Sequence, residues 1–202
     1  MAGAAPAAPD PALRRTVLAV ALLNLGYFGV EFAAALRVGS VSLFADSIDF
    51  LEDASVNLLI LLALGWSAAA RARVGMGLAL LLLMPTVTGL WTAVEKLLEP
   101  IPPDPFTLSL VGLGALAVNV GCALMLARFR RREGSLTRAA FLSARNDALA
   151  NLGIILAGVV TAYLWRSIWP DLVVGLVIAA INADAAREVW QAARAEAAES
   201  RA

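Results

Sequence analysis

The stretch VSLFADSIDFLEDASVNLLILLAL, Val41 to Leu64, decides how this chain is read. It is long and apolar enough to cross a bilayer, yet Asp46, Asp49, Glu52 and Asp53 all fall within its first thirteen residues. A carboxylate near the bilayer centre costs about 2.5 to 3.5 kcal/mol on insertion scales, so four cost on the order of 10 kcal/mol. Such a helix persists only where its acids face a polar interior. At about 100° per residue, Asp46, Asp49, Asp53 and Asn57 share one narrow stripe, while Glu52 points well away from it. Asp49 and Asp53, at i and i+4, present carboxylates on consecutive turns, the spacing with which one helix clamps a divalent cation.

The rest of the chain fits a lipid solvent. Of its 202 residues 60% are hydrophobic and only 16% charged, where soluble domains run near one quarter charged. Zero net charge argues against a nucleic-acid partner, which would call for a basic face. There is no histidine, so the commonest metal ligand and the usual proton shuttle are both missing, and any chemistry must run on oxygen ligands. The one cysteine, Cys122, lies in an apolar run and reads as a packing residue.

Working outward, the hydropathy predicts an all-α membrane protein of six transmembrane helices: Thr16 to Leu36, Val41 to Leu64, Val74 to Val94, Phe106 to Ala127, Ala139 to Leu164 and Ile168 to Ala186. Gly39-Ser40 turns the chain between the first two, prolines 100, 103 and 105 stop the pattern before the fourth, and Trp169-Pro170-Asp171 opens the sixth. Residues 1–13 read as a disordered Ala/Pro-rich tail, 14–189 as the membrane domain and 190–202 as a short cytoplasmic helical tail. Arg14-Arg15 before an apolar run resembles a signal peptide, but the run is long and carries Asn24 and Glu31, so a retained first helix is expected. Arg14, Arg15, Arg71, Arg73, the arginines of 128–138, Arg187, Arg194 and Arg201 sort to one side, against Arg37, Lys96 and Arg166 on the other. By the positive-inside rule both termini are then cytoplasmic.

Two further helices carry polar residues at membrane depth. On the fifth, Ser143, Asp147 and Asn151 follow one another at i+4, with Arg145 on the far side, where it reaches headgroups or pairs with Glu52. On the first, Asn24 and Glu31 share a face. Asn24, Asn57, Asn119 and Asn151 read equally well as interhelical hydrogen-bond glue. The acids do not, because intramembrane carboxylates are functional by default. Asp46 is expected near the outer interface, at the positive end of its helix dipole.

Together these residues resemble the cation diffusion facilitator, or cation efflux, family of divalent-metal/proton exchangers. The similarity lies in two blocks. One runs from Asn24 through Gly39-Ser40-Val41-Ser42-Leu43-Phe44-Ala45-Asp46-Ser47 to Asn57; the other runs from Ser143 to Asp171. The resemblance implies a cation-efflux-like helix bundle and a metal site of Asp49, Asp53, Ser143 and Asp147, with Asn24, Glu31, Asp46, Asn57 and Asn151 around it or along the pathway. Zinc-transporting relatives place histidine at one or both leading positions, which here are Asp49 and Ser143, and their usual C-terminal cytoplasmic domain is absent from this sequence. A hard oxygen site favours Mn²⁺, Mg²⁺ or Fe²⁺ more than a histidine site would, although Zn²⁺, Co²⁺ and Cd²⁺ also bind carboxylates. The metal is expected as transported substrate, not as a prosthetic group. Protons would be the counter-substrate, homodimerisation would run through membrane helices, and the location would be the bacterial inner membrane. Two other classes compete: a non-transporting scaffold or sensor with the same fold, and an intramembrane metal-dependent enzyme. The enzyme reading lacks both histidine and the DG-x2-AR element of lipid-headgroup transferases.

Overall fold

A computed structural model describes residues 11–62, 87, 89–127, 129 and 135–181; for 59, 60, 62 and 135–145 it describes the backbone only. The described residues form helices and no strand: α1 (Pro11–Val38), α2 (Val41–Leu62), α3 (89–98), α4 (Pro105–Ala127), α5 (Ser135–Tyr163) and α6 (Trp169–Ile181). Residues 11–13, expected in the disordered tail, belong to α1; residues 1–10, the end of the second expected span, most of the third, the end of the sixth and the C-terminal tail lie outside the described residues.

The helix ends follow local chemistry. Pro11 opens α1 ahead of the expected span, a place where its missing N–H costs nothing. Gly39 stops α1 with φ +61°, a left-handed conformation, and the Ser40 N–H donates back to the Ala35 carbonyl at 3.2 Å, the longer-reaching bond of a Schellman turn. α3 runs four residues past its expected end at Val94, because Pro100 is the first residue able to break it. Asp104 caps α4: its Oδ2 accepts from the Thr107 N–H at 2.8 Å and the Thr107 hydroxyl at 2.6 Å, with Pro105 in the first turn.

α1, α4 and the Asn146–Tyr163 part of α5 are long and apolar enough to cross a membrane. α2 is 22 residues long, but every 18-residue window of it holds all four carboxylates, so by composition alone it does not qualify. α1 packs on α2 and α4, and α5 packs on α4 and α2. A central apolar cluster of Ala35, Leu43, Phe44, Leu108, Ile154 and Ile178 draws side chains from α1, α2, α4, α5 and α6.

Polarity is inverted relative to a water-soluble bundle. Asn24, Glu31, Asp46, Asn119 and Asn151 are buried, whereas Leu22, Leu113, Leu124, Leu149 and Leu156 are exposed. With lipid outside, exposing leucine carries no penalty and the polar groups find partners only within the bundle.

Candidate functional site

α2 carries Asp46, Asp49, Glu52 and Asp53, and α1, α4 and α5 set amides around them. Asn151 of α5 donates from Nδ2 to Asp46 Oδ2 at 2.7 Å, and Asn119 of α4 donates to Asn151 Oδ1 at 3.3 Å. On the other side Asn24 of α1 donates to Asp53 Oδ2 at 3.5 Å, and the Cys122 thiol approaches Asn24 Oδ1 at 3.8 Å. Cys122 is therefore a weak polar partner within this seam and not packing alone. Asn57 turns back on its own helix, donating to the Asp53 carbonyl at 2.7 Å.

Asp46 departs from expectation. It is fully buried, five residues past the helix start, and is held by Asn151, so it does not act as a helix-start residue. Its neighbour across α1 is Glu31, also fully buried and within reach of the charges of Asp46 and Asp49. Glu31 and Asp46 stand against each other, and among the described residues neither Glu31 oxygen nor Asp46 Oδ1 meets a hydrogen-bond donor by geometry.

The helix-start role falls instead to Asp171, at the beginning of α6. Its carboxylate accepts from the Val41 N–H at 2.8 Å, the Ser42 N–H at 3.2 Å, and the Ser40 and Ser42 hydroxyls at 2.6 Å each. Ser40 Oγ in turn accepts from the Leu43 N–H at 3.1 Å. The first three free donors of α2 are all satisfied, and a carboxylate stands at the positive end of its dipole. The close fit needs Gly175: a Cβ there would lie 2.6 Å from the Val41 carbonyl carbon. Sequence reading quoted Ser40, Ser42 and Asp171 but had no signal to join them.

The four residues expected as ligands fall on α2 and α5. Asp49 and Asp53 are half-buried on α2, and Asp147 is half-buried on α5. Asp49 lies within electrostatic reach of Asp147, Asp46, Glu52 and Asp53, so the acids of the two helices face a common region. Asp53 and Asp147 likewise both act on the Cys122 thiol. Ser143 and Arg145 lie on the α5 backbone, and their side chains fall outside the described residues. Among the described residues, no three His, Cys, Asp or Glu side chains stand close enough together to hold an ion.

This arrangement places a buried seam of carboxylates and amides inside a lipid-facing helical bundle. The family model of the cation efflux transmembrane domain matches residues 17–194, which takes in α1 from Val17 onward, the whole of α2 to α6 and every residue of the seam. The chain therefore belongs to the cation efflux family and carries that family's transmembrane domain.

Proposed function

We propose that the protein exports a divalent metal cation from the cytoplasm in exchange for protons, through an all-oxygen site of Asp49, Asp53, Ser143 and Asp147 between α2 and α5. The observation that carries this reading is the electrostatic proximity of Asp49 to Asp147 across the α2–α5 contact, in a member of the cation efflux family. A divalent ion supplies the charge that several neighbouring buried carboxylates lack, and their oxygens suit a hard cation. Ser143 contributes a hydroxyl at most, so water completes the coordination. Metal requires ionised carboxylates and therefore expels protons as it binds, which gives exchange without histidine. Because three acids do not converge on one point in this arrangement, loading draws α2 and α5 together. The arginine distribution supports cytoplasmic termini, in what we read as a bacterial inner membrane, and any homodimer would form through helix contacts.

Proteoliposomes test the assignment. Asp53→Ala and Asp147→Ala should each abolish metal-driven proton movement; retention of that movement in both would remove these residues from the site. The open spacing of the acids also favours a second reading, a membrane scaffold or sensor that binds no cargo. Calorimetric metal titration in detergent separates the two, since a scaffold shows no carboxylate-dependent heat.

A further inference from the structure

A cavity of about 600 Å³ opens where α1 and α3 end, away from the acidic seam. Its charged groups are Arg37 from the last turn of α1, Glu95 and Lys96 from the last turn of α3, and Glu99 just past the end of α3. Two cations and two carboxylates thus line one space, yet none of the four makes an ion pair within 4.0 Å among the described residues. Their existing bonds are partial. Lys96 donates to the Ile101 carbonyl and senses Asp171, and Glu95 accepts from the Trp91 indole N–H at 2.7 Å. Arg37, Glu95 and Glu99 remain exposed. Lys96 is buried beside the charge of Asp171, and Arg37 acts on Asp104, so the exposed Arg37, Glu95 and Glu99 are the groups open to a ligand, and one that carries both signs matches them.

The rim narrows the choice. Trp91, Leu98 and Ile101 line the same cavity and are 65%, 76% and 68% exposed. A tryptophan bonded to a carboxylate beside exposed aliphatic groups, at the ends of membrane helices, marks the headgroup level of a bilayer. A ligand here would have an ionic head in the cavity and an apolar body running down the helix faces.

We propose that this cavity binds the headgroup of a zwitterionic phospholipid. The phosphate sits on the exposed Arg37 guanidinium, whose planar fork matches two phosphate oxygens. The ammonium sits against the Glu95 and Glu99 carboxylates. An anionic lipid satisfies Arg37 but sets its charge against two glutamates, so it is disfavoured. The proposal does not depend on the identity of the cargo.

Native mass spectrometry of the full chain, released from mixed vesicles of phosphatidylethanolamine, phosphatidylcholine and phosphatidylglycerol, tests it. The wild type should retain one zwitterionic lipid in preference to phosphatidylglycerol. Arg37→Gln and Glu99→Gln, both at exposed positions that leave the helices intact, should each weaken retention on the order of tenfold. Glu99→Arg should turn the preference toward phosphatidylglycerol. Equal or stronger retention of phosphatidylglycerol by the wild type, or unchanged retention in Arg37→Gln, would overturn the proposal.

Discussion

At the scale of single residues, Asp171 bears the largest structural demand. One fully buried carboxylate accepts from two backbone N–H groups and two hydroxyls, all at the start of another helix. Replacing it by alanine strands those donors in a dry interior, where each unsatisfied group costs about 1–3 kcal/mol. Asp171→Ala should therefore lower unfolding free energy by at least about 3 kcal/mol, and Asp171→Asn, which keeps one acceptor oxygen, by less. Denaturant titration in detergent measures both. Asp49, Asp53 and Asp147 could be picked from the sequence because a carboxylate in an apolar run is conspicuous and its helical face follows from spacing alone. The link from Asp171 to Ser40 and Ser42 could not, because 131 and 129 residues separate the partners and neither end shows an unusual local pattern.

At the scale of elements, breaks were more legible than ends. Prolines and the Gly39-Ser40 turn marked where helices stop, but local capping fixed the last few residues, as α3 illustrates by running on to 98. The start of α4 offers a clean test. Hydrogen bonds from the Thr107 hydroxyl and N–H hold the Asp104 carboxyl below its ordinary range. A lowered folded-state value means the cap stabilises above the ordinary carboxylate range and loses that contribution as pH falls through the lowered one. Asp104→Ala should cost about 1 kcal/mol at neutral pH. The gap between variant and wild type should close in acid, and melting temperatures across a pH series would register it. An acid-independent gap would mean that Asp104 acts by packing and not as an ionised cap.

At the scale of the whole molecule, the inversion of polarity was readable from composition, since a chain this apolar has too few charges to coat a water-facing surface. How the polar seam closes was not, because interhelical pairs such as Asn151 with Asp46 depend on which helices become neighbours. The seam predicts a direction for pH dependence. On the proposed exchange, each proton on Asp49, Asp53 or Asp147 competes with the metal, so the half-saturating metal concentration in proteoliposomes should rise as pH falls. A flat profile would separate metal binding from protonation and end the exchange reading. The α2 cap carries a different consequence, one of timing. Translation delivers Val41 and Ser42 some 130 residues before the carboxylate that receives their N–H groups. The second helix thus leaves the ribosome with its opening turn incomplete, and the sixth, arriving late, is the piece that finishes it.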